Sequence, residues 1–299
     1  MSKRIGLTLI LLCSLIWAVN PLLFKLILSE VPPYNVVMLS RVSATVSLFV
    51  IVAIIDRKGL VQAFKNFNLF TFVGGIFLGV HFIFFILGLD LTTAVATSIL
   101  IQTEAVYFVI WGFAFFHESV TAKKALGMAL ATIGVFVVVW NGDDLSSLVG
   151  TQYFAGNMII FLSALLFSIY MAMQKGLSFR KTGFATLLPI FLIATLLTFP
   201  LASWGELSTT PPNALVVILI VGIITALSFL FFAKSLDHVL NSVISVILLT
   251  SPVMTALIVI AGKGLDIPFF GQELLTAYLL LGGTAILLGA FLVISEENT

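Results

Sequence analysis

Residues 118–134 read ESVTAKKALGMALATIG, and residues 273–289 read ELLTAYLLLGGTAILLG. In both stretches a threonine follows the glutamate by three residues, and glycines follow it by nine and by sixteen. Upstream, the pattern F-x-F-F begins at Phe82 and begins again at Phe229, 147 residues later. Similarity at a fixed spacing within one chain indicates internal repetition. The sequence therefore predicts two copies of one structural unit.

The composition indicates the solvent in which these two copies fold. Of the 299 residues, 61% are hydrophobic and only 9% are charged, with a mean hydropathy of +1.22. Soluble domains carry about 25% charged residues, so we expect an all-α integral membrane protein. Each copy has five apolar stretches long enough to cross a hydrocarbon layer ~30 Å thick. These ten predicted spans cover residues 5–28, 34–55, 68–89, 93–115, 123–140, 153–175, 183–204, 213–236, 240–262 and 274–294.

The distribution of basic residues orients the predicted spans, because cytoplasmic loops carry an excess of lysine and arginine. With a cytoplasmic N-terminus, eleven basic residues fall on the cytoplasmic side and only Lys263 on the other. We therefore expect a multi-pass protein of the cytoplasmic (inner) membrane with both termini cytoplasmic. An odd number of spans per copy inverts the second copy relative to the first. The predicted fold is ten transmembrane helices in two inverted five-helix repeats, residues 1–150 and 151–299, forming one compact membrane domain.

Several classes of function receive no support from the sequence. The net charge is +1, which gives no indication of a nucleic-acid partner or of a basic membrane-surface patch. Cys13 is the only cysteine, so an intramolecular disulfide and a thiolate metal cluster are excluded. The chain has no Walker-type phosphate loop, zinc-protease helix or Gly-x-Ser-x-Gly elbow. We expect no enzyme activity, no cofactor and no metal; the expected partners are a small-molecule solute and membrane lipids.

A set of motifs resembles the drug/metabolite transporter superfamily, specifically its EamA-type branch. The motifs are the stretch Trp17-Ala-x-Asn20-x4-Lys25, Pro32 followed by Arg41, and the paired E-x2-T-x5-G-x6-G blocks. The resemblance extends over nearly the whole chain. It implies a central cavity lined mainly by predicted spans 1, 3, 4, 6, 8 and 9. It also implies that the cargo is a small organic metabolite.

Glu104 is the strongest single candidate for a functional residue, and it departs from the family pattern. It lies about eleven residues into predicted span 4, where a carboxylate inside a membrane is costly and usually functional. In one interpretation Glu104 binds a cationic or zwitterionic solute, or carries a proton, with cation–π support from Trp17 or Trp111. In the other, Glu104 is a fixed ion-pair partner of Arg41 or Lys25.

Further candidates lie on helical faces that correspond in the two copies. Trp17 and Asn20 of span 1 correspond to Phe167 and Tyr170 of span 6, and both faces combine aromatic and hydrogen-bonding groups. Such a face suits the wall of a cavity for an amphiphilic solute, although ordinary helix packing is an alternative. His81 is either a proton shuttle or a packing histidine. The predicted substrate-binding residues are Trp17, Asn20, Arg41, His81, Glu104, Phe108, Trp111, Tyr170, Gln174 and Ser245; Glu104 and His81 are also candidates for proton coupling.

The two duplicated glutamates are expected to have a structural role. Glu118 and Glu273 precede predicted spans 5 and 10, where a carboxylate can accept hydrogen bonds from free backbone amides and oppose the helix dipole. The glycines that follow them are expected to let helix backbones approach closely.

The predicted function is a secondary transporter that moves a small organic metabolite, such as an amino acid or amine, by alternating access. Inverted repeats are a common construction of such transporters, with the substrate site near the middle of the membrane. Export is the favoured direction. A proton-coupled or exchange uptake carrier for a nutrient and a non-transporting scaffold are alternatives. The sequence leaves open the cargo and its charge, the coupling ion and whether the protein is a monomer or a dimer.

Overall fold

The computed structural model describes residues 3–104, 106–107, 110–111, 114, 121–140, 152–177, 184–235, 238–239, 244, 247–271, 273 and 275–295. Every regular element in this part of the chain is helical. The α-helices are α1 (Lys3–Leu28), α2 (Pro33–Ile55), α3 (Arg57–Lys65), α4 (Leu69–Leu91), α5 (Ala94–Leu100), α6 (Ala122–Trp140), α7 (Gln152–Leu177), α8 (Leu187–Thr198), α9 (Trp204–Leu207), α10 (Pro212–Ser235), α11 (Ser251–Gly264), α12 (Pro268–Gly271) and α13 (Ala277–Ser295). Short 3-10 turns cover Ile101–Thr103, Phe184–Thr186 and Phe199–Leu201.

The long helices confirm that the protein is an all-α membrane protein. Within the described residues, five helices are long and apolar enough to cross a membrane: α1, α2, α4, α7 and α10. Shorter apolar helices cover Ala94–Thr103, Leu187–Leu201, Ser251–Gly264 and Ala277–Leu292. Each of them overlaps a stretch that the sequence predicts to be a span. The total of ten spans stays a prediction.

Helices α6 and α13, which begin shortly after the two duplicated glutamates, pack against each other. A Cβ atom built on Gly134 would lie 2.6 Å from the carbonyl oxygen of Gly282, and one built on Gly289 would lie 2.5 Å from that of Gly127. Any side chain would collide with backbone at these distances, so the close contact requires glycine. Late residues of α6 meet early residues of α13, and the two helices therefore run antiparallel.

Helices α2 and α8, the second helices of the two copies, also cross antiparallel. The hydroxyl oxygens of Thr45 and Thr195 lie 2.7 Å apart, and the two residues are 150 positions apart in the chain. Each hydroxyl also lies 3.2 Å from a carbonyl oxygen of the other helix, Thr45 from that of Phe191 and Thr195 from that of Arg41. Phe191 is likewise 150 residues after Arg41, so the contact is two-fold symmetric.

Two further helix pairs join the copies in equivalent positions, α1 with α10 and α4 with α7. The indole nitrogen of Trp17 donates to the hydroxyl of Ser228 at 3.0 Å in the first pair. In the second pair the rings of His81 and Phe167 lie 4.7 Å apart between centroids. Phe167 corresponds to Trp17 in the repeat, and Ser228 corresponds to His81, so the two contacts are equivalent. These crossings agree with the predicted inversion; the division into residues 1–150 and 151–299 stays a prediction.

The two largest buried apolar clusters among the described residues each combine both copies. One contains Phe24 and Leu89 from the first copy and Val259 from the second. The other contains Leu48 of the first copy and Phe229 of the second. Apolar burial therefore contributes to holding the two copies together.

Replacing Gly134 with alanine tests the α6–α13 contact. The added methyl group would meet the carbonyl oxygen of Gly282 at 2.6 Å. Overpacking of this kind costs about 1–3 kcal/mol, so we expect a lower midpoint of thermal unfolding in detergent. Gly264→Ala is the matched control, because no atom lies within 4 Å of its Cβ position. Equal midpoints for the two variants would contradict the close contact.

Candidate functional site

A cavity of about 740 Å³, counted with its opening, lies between helices of both copies. The helices that line it include those of predicted spans 1, 3, 4, 6, 8 and 9, and α2 contributes one residue. The lining residues are Trp17, Asn20, Pro21, Phe24, Arg41, His81, Phe82, Phe85, Ile86, Ser98, Ile101, Gln102, Glu104, Phe167, Thr225, Phe229 and Ser251.

Aromatic rings form a continuous part of the wall. The Trp17 ring lies 6.2 Å from that of Phe167 and 6.1 Å from that of Phe229, measured between centroids. Phe82 lies 6.2 Å from Phe229. The repeated F-x-F-F pattern supplies both Phe82 and Phe229, one from each copy. Such a wall can hold an apolar group, and its ring faces can also attract a cation.

Arg41 is a buried cation in this cavity, with only 1% of its surface exposed. Its guanidinium carbon lies 3.6 Å from the ring centroid of Phe82. Nη2 donates to the hydroxyl of Ser40 at 3.5 Å, whereas Nε and Nη1 have no partner among the described residues. Buried charges normally carry hydrogen-bond acceptors. The N–H groups on these two nitrogens can therefore bind an anionic or carbonyl oxygen of a solute.

Glu104 lines the same cavity at the end of a 3-10 turn. Its carboxylate makes no hydrogen bond or ion pair with any residue that the structure describes. Lys25 instead donates to the carbonyl oxygens of Leu89 at 2.9 Å and Asp90 at 2.8 Å. Among the described residues, therefore, Glu104 forms no ion pair with Lys25 or with Arg41. Its carboxylate can instead contact a solute in the cavity.

His81 is fixed in the wall rather than free within the cavity. Its Nδ1 lies 3.0 Å from the carbonyl oxygen of Ser163 and 2.9 Å from the Ser163 hydroxyl. Nδ1 therefore donates to the carbonyl, which holds the ring against Phe167. Asn20 is satisfied on one side only: Nδ2 donates to the Thr225 hydroxyl at 3.4 Å, whereas Oδ1 has no partner among the described residues.

Two predicted site residues do not line the cavity. Trp111 donates from its indole nitrogen to the hydroxyl of Ser168 at 2.9 Å. Tyr170 is buried behind the wall, where its ring stacks on Phe167 at 5.5 Å between centroids. Both lie on the helices expected to carry the site, but neither is among the residues that line the cavity.

The cavity contains half of the predicted site residues: Trp17, Asn20, Arg41, His81 and Glu104. Phe108 and Ser245 lie outside the described residues, as does the side chain of Gln174 in α7. Sequence reasoning did not assign Phe82, Phe85 or Phe229 to the site. The duplicated F-x-F-F pattern was the available signal, since it marks equivalent positions in both copies.

Glu273 is a helix cap, but for a different helix than the sequence indicates. Its carboxylate accepts hydrogen bonds from the backbone amides of Ala94 at 3.1 Å and Val95 at 3.3 Å, at the start of α5. The expected cap on α13 is instead Thr276, whose hydroxyl accepts from the amide of Leu279 at 3.1 Å. Glu118 lies outside the described residues. Burial raises the pKa of Glu273, and its two amide donors act in the opposite direction.

The fold and the cavity define a multi-pass membrane protein with a chamber for a small solute. Its residues 4–140 match the model of the EamA-like transporter family. The chain is 22% identical to an Archaeoglobus fulgidus protein named "Uncharacterized transporter", over 97% of both chains. It is 21% identical to a Haemophilus influenzae protein of the same name, over 85% of this chain and 82% of the relative. The family and these relatives support the conclusion that the protein is a membrane transporter.

A solved crystal structure shares the fold. It superposes on this chain with a TM-score of 0.60 at 15% sequence identity, over 97% of this chain and 95% of its own. At this identity the likeness concerns the arrangement of helices, and it extends to both copies.

Replacing Arg41 with methionine separates a binding role from a structural one. Removing a buried charge that lacks a partner is often neutral or stabilising, so we expect an unfolding midpoint at least as high as that of the unchanged protein. Any stabilisation by a bound solute should be lost. Lys25→Met is the matched control and should lower the midpoint, because Lys25 makes two hydrogen bonds. A drop for Arg41→Met as large as for Lys25→Met would show that Arg41 is structural.

Proposed function

We propose that the protein is a secondary transporter that moves a small organic metabolite, such as an amino acid or amine, across the cytoplasmic membrane. The observation that carries the proposal is one cavity lined by the Glu104 carboxylate and the Arg41 guanidinium, between aromatic walls. Neither group makes an ion pair with any residue that the structure describes, and an ionisable group without such a partner is costly in a membrane. A solute that supplies the missing partners offsets that cost when it binds.

The same contacts support alternating access as the mechanism. The copies meet through antiparallel helix pairs in which equivalent residues face each other, as Thr45 and Thr195 do. Two inverted copies can rock about such an axis and open the cavity first to one side and then to the other. In this proposal the energy comes from a solute gradient, an exchange partner or protons, and no ATP is used.

Within the cavity we assign Glu104 to the cationic group of the solute, or to a proton that travels with it. Arg41 has two nitrogens, Nε and Nη1, without a partner among the described residues, and they can donate to an anionic group. Trp17 offers an aromatic face. His81 is less suited to carry a proton, because a backbone carbonyl fixes its Nδ1. Both termini are placed in the cytoplasm by the distribution of basic residues, and export is the proposed direction.

Replacing Glu104 with glutamine tests the assignment directly. The amide keeps the size of the side chain but cannot carry a charge, so we expect transport in proteoliposomes, or its dependence on pH, to be abolished. Expression and the unfolding midpoint should not change. Glu206→Gln is the matched control, because Glu206 is exposed in the short helix α9. Normal transport by Glu104→Gln would show that this carboxylate is not required.

A thermal-shift screen identifies the cargo class. Amino acids, amines, nucleobases and organic acids are added to the purified protein. A bound solute raises the midpoint by an amount that grows with the logarithm of its concentration relative to its dissociation constant. We expect stabilisation by solutes that carry an ammonium group, and its loss in Glu104→Gln. Selective stabilisation by organic anions would move the main contact to Arg41. Export is tested separately in cells that overproduce the protein. If the protein exports the solute, these cells should tolerate a toxic concentration of it better; if it takes the solute up, they should tolerate it less well.

A further inference from the structure

Glu273 connects the two copies at one end of the cavity. It belongs to the second copy and is 3% exposed, yet it binds the first two amides of α5 in the first copy. Lys263 donates from Nζ to the backbone carbonyl of Glu273 at 2.6 Å and so holds this segment in place. The carboxylate thus bridges residues 179 positions apart in the chain.

Lys25 makes a second set of hydrogen bonds between helices, close to those of Glu273. Its ammonium group donates to the carbonyl oxygens of Leu89 and Asp90 in the last turn of α4. The end of a helix carries unpaired carbonyl groups and a partial negative charge, and a cation stabilises both. Lys25 also lies close enough to Glu273 and Asp90 to interact with them electrostatically. The ends of α1, α4 and α5 are therefore held together with the second copy.

These two sets of hydrogen bonds lie directly beyond the cavity. On α1, Phe24 lines the cavity and Lys25 follows it; on α5, Ser98 lines the cavity one turn after Ala94 and Val95. Around them an apolar cluster is buried, and it includes Leu89 at 0% exposure and Val95 at 0%. Apolar packing as well as hydrogen bonds therefore join the two copies beside this end of the cavity. The basic-residue distribution places it at the outer face.

A purely local helix cap does not explain Glu273. The hydroxyl of Thr93 already caps α5 locally by accepting from the amide of Ala96 at 3.1 Å, and Thr276 caps α13. Glu273 adds hydrogen bonds between parts of the chain that must separate if the cavity opens at this end. Hydrogen bonds to a charged group are stronger than those between neutral groups, so this carboxylate contributes to keeping that end shut.

We infer that Lys25, Lys263 and Glu273 form a latch that keeps the outer end of the cavity closed, and that outward opening requires Glu273 to release α5. The inference rests on the proposed alternating access. While the latch is formed, the cavity is not accessible from the outer face. Weakening it should shift the population toward the outward-open state without changing the residues that meet the solute.

Side-specific labelling tests the latch. The reporter is Thr225→Cys, a cavity-lining position on α10 that is not part of the latch, in a Cys13→Ala background. A membrane-impermeant maleimide is added to the outside of intact cells. Glu273→Ala removes two hydrogen bonds to a charged group, and the loss of one such bond already corresponds to about tenfold in an equilibrium. We expect Glu273→Ala to raise the labelling rate by at least about tenfold, Glu273→Gln to raise it less, and Lys25→Met to raise it as well.

Glu206→Ala is the matched control, because it removes an exposed carboxylate at the same end without a bond between the copies. Its labelling rate should equal that of the reporter protein with an unchanged latch. If Glu273→Ala does not fold, Lys25→Met in the same assay decides. Labelling at the unchanged rate, or equal acceleration by Glu206→Ala, would overturn the latch. Solute counterflow by the unchanged protein is measured in parallel, so that failure of transport itself is distinguished from failure of the latch.

Discussion

The close backbone contact between α6 and α13 fixes how the two copies sit together. The glycines that follow each duplicated glutamate by nine and by sixteen residues meet crosswise, Gly134 against Gly282 and Gly127 against Gly289. Such a contact is possible only if the helices are antiparallel and carry no side chains at these positions. The symmetric crossing of α2 and α8 agrees with it. The remaining helices of both copies then enclose the space that becomes the cavity.

Periodicity and hydropathy predicted the positions of the apolar helices well, because membrane burial imposes length and composition on each span separately. The rotation of each helix about its axis is set by its neighbours, and a single sequence carries little of that information. Trp111 and Tyr170 illustrate this: both lie on the expected helices, but they contact Ser168 and Phe167 instead of the cavity. The position of Glu104 in the wall of the cavity was predictable, since a carboxylate in an apolar stretch has few structural uses.

Glu273 shows a different limit of sequence reasoning. A carboxylate just before a helix is typical of a local cap, and the threonine three residues later is the residue that performs that function here. The carboxylate is left to reach α5, which lies far away in the chain but adjacent in space. Local propensity assigns a chemical role correctly, namely acceptance of hydrogen bonds from free amides. It does not identify the helix that supplies them.

The contacts that match between the two copies and the side chains that differ have separate roles in the proposed mechanism. The backbone carbonyls of Arg41 and Phe191 make equivalent contacts with Thr195 and Thr45, yet one position carries a cation and the other an apolar ring. A scaffold with two equivalent halves needs matching backbone contacts, so that both directions of opening use the same crossings. A site that recognises one solute in one orientation needs the opposite, because identical charges on both halves would favour a symmetric ligand. In the proposed mechanism, the duplicated backbone contacts allow alternation, and the unmatched side chains provide recognition.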